Sequence, residues 1–302
     1  PHIHNKADNC EKLTNSVKRP YWTKADDPYY NQSMKADELI IYADMDGTAL
    51  SDWSRGPIVP EENLRALESF VAQGGLFSVA SGRQYPEIMN FFPEGLICAP
   101  VVCGNGAIVY SPRDKKVVRE ILLPVEFRRE VLELCEKRTE LVLAAADEYG
   151  IYQVRIGDGH PAPDGLLRRY ITQENFLTGP YVKACYILPD PALMQGVEEA
   201  TALFASYGLV TAARSSSIYL EVIRRDVSKA AGIAYAREYI GAGERKLACI
   251  GDYFNDYEML KSADIAACPS NAAQGIKDIC DIVTCSNDEG AIAGFISALC
   301  GE

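Results

Sequence analysis

From residue 38 onward, short apolar runs alternate with helical patterns, and this alternation most limits what the chain can fold into. Runs 39–43 (LIIYA), 76–80 (LFSVA) and 96–103 (LICAPVVC) read as buried strands. Between them, 60–75 carries Leu64, Leu67, Phe70 and Val71 at helical spacing and stops on Gly-Gly, and 85–92 reads as a short helix. Such alternation implies right-handed crossovers and a parallel sheet with helices on both faces. The same pattern returns late in the chain, with helix 228–241, strand 246–250, helix 255–263, strand 264–268, a short run at 282–284 and a closing helix over GAIAGFISAL.

The middle differs. Residues 124–138 read as a helix, followed by two strands that turn near Tyr149–Gly150. Strand 181–190, helix 191–208 and two further strands, the second at 217–223, complete an α+β unit. The expected fold class is therefore α/β, a Rossmann-like parallel-sheet core over 37–122 and 223–302, with an α+β domain inserted at 123–222. Residues 1–36 are expected to be an N-terminal extension. They are polar and aperiodic as far as Ser33, which suits a leader, an expression artefact or a disordered arm, and Met34 opens a stretch that reads like a natural start.

The net charge of −12 argues against nucleic acid or an anionic membrane as main partner, because both reward surplus Lys and Arg. It does not exclude an anionic small molecule held in a locally positive pocket. No apolar run approaches a membrane span, and no secretory signal is visible. The ten cysteines are scattered without a C-x-x-C pair and read as mostly buried free thiols of a reducing cytosol. The expectation is a cytoplasmic protein, monomeric or weakly self-associating.

In open parallel sheets, sites form beyond the carboxyl ends of the strands, and polar residues gather there. Asp44 and Asp46 follow the first strand, Ser81, Gly82 and Arg83 the second, and Asp252, Asn255 and Asp256 the strand at 246–250; Lys229 opens a helix. Two carboxylates ~4 Å apart repel by about 4 kcal/mol at an effective dielectric of ~20. Several together need protons or a cation, and oxygen-only ligands with a phosphate partner favour Mg²⁺. Lys229 and Ser81 suit a phosphoryl group in transfer. Asp44 is placed to attack phosphorus, and Asp46 to protonate the leaving oxygen and then deprotonate water.

The segments DMDGT (44–48), SVASGR (78–83), VSKAAGI (227–233) and IGDYFNDYEML (250–260) occur in this order and resemble the four motifs of the haloacid dehalogenase-like hydrolase superfamily, in its Cof-type phosphatase branch. CGNGAIVY (103–110) and the tail 281–296 resemble the same branch. The resemblance implies that the insertion is a substrate-selecting cap. It implies Asp44 as nucleophile and metal ligand, and Asp46 as acid/base that also lends its carbonyl to the metal. Ser81 would bind phosphate, Lys229 would stabilise charge, and Asp252, Asn255 and Asp256 would complete the Mg²⁺ site. Thr48, Gly82, Arg83, Asn105 and Gly106 would line the substrate approach. The implied activity is hydrolysis of small phosphorylated metabolites such as sugar phosphates. Tyr253 and Phe254 depart from the smaller residues usual in the fourth motif and would narrow the pocket; CPSNA (268–272) is a further departure.

Blander readings stand beside these. Asn105-Gly106 suits a hairpin turn, Ser81 a helix cap, and the pairs Arg128-Arg129, Arg168-Arg169 and Arg224-Arg225 solvated helix faces. His160 reads as an exposed loop residue. Two alternative functions use the same core: a phosphosugar mutase, and a non-catalytic phosphometabolite-binding protein.

Overall fold

The computed structural model describes residues 22–23, 33–52, 56–157, 169–205, 208–214 and 217–301. The core sheet contains β1 (Trp22–Thr23), β2 (Leu39–Ala43), β3 (Leu76–Val79), β13 (Lys246–Ile250), β14 (Ile265–Cys268) and β15 (Ile282–Val283), ordered β1-β15-β14-β13-β2-β3. All pair in parallel except β1, which runs antiparallel on β15. Side chains alternate across a strand, so β2 serves two cores. Leu39, Ile41 and Ala43 join the cluster beneath α1 (Glu61–Ala72) and α9 (Ala291–Cys300). Ile40 and Tyr42 join the opposite cluster under α6 (Lys229–Tyr239), α7 (Tyr257–Ser262) and α8 (Gln274–Lys277). Tyr42 is fully buried, and its hydroxyl finds a partner in the Pro100 carbonyl, 3.0 Å away.

The run 96–103 is not a strand throughout. Only β4 (Val101–Cys103) is extended in a sheet, and it starts an antiparallel meander with β5 (Ile108–Ser111) and β6 (Lys116–Glu120). Pro100, which has no N–H to give to a ladder, marks the start of the pairing. One parallel bridge, Ala80 to Val102, attaches the meander to the end of β3.

The inserted unit forms its own sheet from β7 (Val142–Ala146), β8 (Ile151–Val154), β9 (Tyr170–Ile171), β10 (Lys183–Ile187), β11 (Val210–Arg214) and β12 (Tyr219–Arg224). The order is β11-β12-β10-β7-β8-β9, antiparallel but for the β8–β9 pair. Helices α3 (Val125–Lys137), α4 (Gln173–Thr178) and α5 (Met194–Ala205) cover one face, burying Phe127, Val131, Phe176 and Val197 against Tyr186, Leu220 and Val222. The opposite face carries Val142, Ala144, Cys185 and Ile187, together with the buried polar residues Lys183 and Glu221. The fold is thus a parallel-sheet α/β core with a second α+β layer inserted. The remaining helix, α2 (Tyr85–Met89), lies between β3 and β4.

Arg128 corrects the expectation of a solvated face. It is 6% exposed, and its guanidinium donates to the carbonyls of Leu123, Phe176, Leu177 and Gly179 at 2.6–3.2 Å. It thereby satisfies carbonyls at the end of α4 that have no helical partner. Arg225 likewise donates to Ala205 and Val210, whereas Arg224 pairs with Asp226 at the surface. Arg168, His160 and most of residues 1–32 lie outside the described residues. Among the described residues, nine cysteines are free thiols, six of them buried, and no helix is long and apolar enough to cross a membrane.

Candidate active site

The chain runs from β2 to β3 on one side while β13 lies on the other side of β2, which makes the carboxyl end of β2 a switch point in the sheet. The ladder continues one residue past each strand end. Asp44 N–H donates to Ile250 O at 2.9 Å, and Ala80 N–H to Ala43 O at 2.9 Å. Asp44, Ser81 and Asp252 are therefore delivered side by side by backbone pairing rather than by their own contacts.

The tight turn after Asp44 depends on Gly47, at φ 78°; a Cβ there would stand 2.5 Å from Asp252 Oδ2. Close approach of this turn to the Asp252 loop thus requires glycine. Asn271 Nδ2 donates to Gly47 O at 2.8 Å and holds the turn from the far side.

Three carboxylates converge. Oxygens of Asp44, Asp252 and Asp256 lie within 4.8 Å of one another. Lys229, 1% exposed, bridges two of them, with Nζ 2.5 Å from Asp44 Oδ1 and 2.6 Å from Asp256 Oδ1. Asp256 Oδ2 accepts the amides of Asp252 and Tyr253. Thr48, expected on the substrate approach, is fully buried and donates to Asp252 Oδ1 at 3.2 Å. Burial opposes the charge of Lys229, but Asp256 and Asp44 outweigh it and raise the lysine above its ordinary pKa. Burial also pushes the Asp252 carboxyl up to about 7, with Asp256 adding to the shift and Lys229 opposing it. Asp44 is raised for the same reason, with Lys229 again opposing. One lysine among three carboxylates, two of them buried, leaves uncompensated negative charge, and the oxygen-only donor set fits a hard divalent cation.

Asp46 stands apart from this triad. Both its oxygens accept from Arg83, Nε to Oδ2 at 2.8 Å and Nη2 to Oδ1 at 2.7 Å. Arg83 also pairs with Glu87 on α2 and lies over the Phe91 ring. Ser81 is buried, and its Oγ accepts the Arg83 amide at 3.2 Å. Asn255 is exposed. The rings of Tyr253 and Phe254 are 44% and 58% exposed and pack edge to face against each other.

Asn105 and Gly106 form the β4–β5 connection and enter the site region. Asn105 N–H donates to Ser81 O at 2.9 Å, and Asn105 adopts the left-handed conformation at φ 59°. A Cβ on Gly106, at φ 105°, would stand 2.0 Å from Ser228 O, so this loop seats directly against the start of α6 and Lys229. The inserted sheet reaches down to the same loops: Lys183 Nζ donates to Gly82 O at 3.2 Å and pairs with Glu221 at 2.7 Å, while Asn105 Nδ2 donates to Glu221 at 2.6 Å. Sequence reading assigned no role to Lys183, Glu221, Gln84 or Asn271. A charged residue within otherwise apolar runs, as in YVKACYIL and IYLEVI, was the available signal for the first two.

A parallel sheet with acidic strand ends, a lysine buried among them and an inserted α+β layer is the architecture of an α/β enzyme with a second, inserted domain. The family model for haloacid dehalogenase-like hydrolases matches residues 41–296, and the chain belongs to that family, within its Cof-type phosphatases. A relative is the Bacillus subtilis 5-amino-6-(5-phospho-D-ribitylamino)uracil phosphatase YitU, 24% identical over 87% of this chain and 98% of its own. The Escherichia coli phosphatase YbjI, named for the same substrate, is 28% identical over 78% of this chain and 87% of its own. The solved structure of the subclass IIB sugar phosphatase BT4131 shares the fold with a TM-score of 0.71, at 19% identity over 86% of this chain and 98% of that one.

Proposed function

We propose that the chain is a Mg²⁺-dependent phosphatase that hydrolyses small phosphorylated metabolites through an aspartyl phosphate on Asp44. The observation that carries this reading is the meeting of Asp44, Asp252 and Asp256 around Lys229 at the end of β2. Names of relatives point the same way, two to a ribitylaminouracil phosphate and one to sugar phosphates.

Asp44 and Asp252, with the Asp46 carbonyl, would hold the cation. When bound, it supplies positive charge to a phosphate oxygen and offsets the repulsion among the carboxylates. Lys229 orients Asp44 and adds a second positive charge where the transferred group's oxygens gather. The Ser81 hydroxyl, on the loop that follows β3, would donate to a phosphate oxygen. An Asp44 oxygen attacks phosphorus, the ester P–O bond breaks, and the leaving oxygen takes a proton from Asp46. Asp46 then accepts a proton from the water that attacks phosphorus and frees Asp44. The inserted unit at 123–222 would act as a cap that selects the leaving group.

The test is phosphate release from a panel of phosphorylated sugars, polyols and cofactors, with Mg²⁺ and with chelator, for wild type and Asp44→Asn. Metal-dependent release confined to wild type is expected. Equal release by both proteins would remove Asp44 from the chemistry.

A further inference from the structure

Lys183 and Glu221, 3% and 7% exposed, form an ion pair on the face of the inserted sheet opposite its helices, against the loops that carry Ser81 and Asn105. A buried ion pair is a poor source of stability, because desolvating both charges cancels most of their attraction. What the pair does geometrically is more specific. A carboxylate only accepts, so Glu221 Oε2 obliges the Asn105 amide to present Nδ2 to it, at 2.6 Å, and turns Oδ1 the other way.

Asn105 is 8% exposed, and its Oδ1 has no hydrogen-bond partner among the described residues. That oxygen lies over Gly82, 3.2 Å from where a Cβ would stand. Gln84, two residues further along the same loop, is 2% exposed, and both of its amide atoms lack partners among the described residues. A Cβ on Gly104, next to Asn105, would stand 3.9 Å from Gln84 Oε1. Buried polar atoms without partners are costly, and here three gather beside the phosphate loop, under the cap.

The phosphate itself cannot satisfy Asn105 Oδ1. A monoester is mostly dianionic at neutral pH, since its second pKa is about 6, and so offers acceptors rather than donors. The missing partner is a donor carried by the rest of the substrate. We infer that Glu221 is a positioning residue that fixes the Asn105 amide so that Oδ1 accepts from a hydroxyl of the leaving group, with Gln84 completing the same subsite. The inference rests on the phosphatase reading above and adds to it the side chains that recognise the leaving group.

The experiment compares ribitol 5-phosphate with n-pentyl phosphate, which has the same carbon length and no hydroxyl, on wild type, Glu221→Gln, Asn105→Ala and the double variant, all with Mg²⁺. In Glu221→Gln the new amide turns its nitrogen to Asn105, which must flip and show Nδ2 to the subsite. The KM for ribitol 5-phosphate should rise at least tenfold, and the ratio of kcat/KM for ribitol 5-phosphate to that for pentyl phosphate should fall at least tenfold. Asn105→Ala should lower the ratio similarly, and the double variant no further than either single one, because the two residues act in series. A purely structural role would depress both substrates alike and leave the ratio in place. Should Glu221→Gln fail to fold, Gln84→Met, which sacrifices no existing hydrogen bond of the side chain, carries the same test with an expected threefold or greater fall in the ratio. A wild type without preference for ribitol 5-phosphate, or folded variants with an unaltered ratio, would overturn the inference and leave the phosphatase standing. A wild type that releases phosphate from neither compound nor from the wider panel would overturn both.

Discussion

Arg83 holds both oxygens of Asp46 in a fork, at 2.8 and 2.7 Å, while its third nitrogen is engaged by Glu87 and its plane rests on Phe91. The guanidinium is buried and fixed from two sides, so it sets where the Asp46 carboxylate stands between proton transfers. A lysine offers one charged point and no fork, so it cannot reproduce that grip.

Arg83→Ala is therefore expected to lower kcat by roughly 10–100-fold, the usual cost of a misplaced catalytic group, with a smaller change in KM. Arg83→Lys should recover little of the loss. Steady-state kinetics on the best substrate of the panel would decide it, and full recovery by lysine would show that charge alone, rather than the fork, matters.

Thr48 donates to Asp252 from a fully buried position. Partners that orient metal-binding carboxylates typically contribute about 10–100-fold in metal affinity. Thr48→Val, which keeps the shape and loses the donor, should raise the Mg²⁺ concentration for half-maximal activity by about tenfold. An unchanged Mg²⁺ requirement would place the cation away from Asp252.

The raised carboxyls make stability depend on pH in a defined direction. Burial moves Asp252 up to about 7 and also raises Asp44, from an ordinary value of about 4 in the unfolded chain. Between these limits the folded protein binds more protons than the unfolded one, so stability falls as pH rises from ~4 to ~7. A bound cation relieves that repulsion. Thermal melts in chelator should drop between pH 5 and pH 8, and the gap between Mg²⁺ and chelator should widen over the same interval. A gap independent of pH would separate the cation site from these carboxylates.

Gly106→Ala would drive a Cβ to 2.0 Å from the Ser228 carbonyl, in a backbone conformation that disfavours side chains. Destabilisation above ~2 kcal/mol is expected, seen as a Tm lower by about 3 °C or more. A Tm within one degree of wild type would mean that the loop sits further from α6 than described.

Much of the parallel core was legible in the sequence because its strands are short, largely apolar runs, and β2 and β13 lead within two residues into aspartates. Asp44, Asp252 and Asp256 could be associated for the same reason, since strand ends in such a sheet are neighbours whatever their separation in the chain. The meander escaped notice because β6, KVVRE, is half exposed and alternates too weakly to stand out. The six-residue α4 is shorter than any periodicity can reveal, and it relies on Arg128 from another helix. Glu221 and Asn105 are 116 positions apart and meet only because the inserted sheet folds back over the core. No local pattern contains such a contact; only a charge stranded in an apolar run hints that a distant partner exists.

The inserted unit buries its own apolar cluster, distinct from the two clusters on either side of the parallel sheet. A substitution inside that cluster, beneath α3, α4 and α5, therefore stays remote from the packing around Asp44 and Lys229. Only at the seam do the two units answer to each other: Asn105 of the core donates to Glu221 of the insertion and Lys183 of the insertion to Gly82 of the core, so a change on either side of that seam is felt across it.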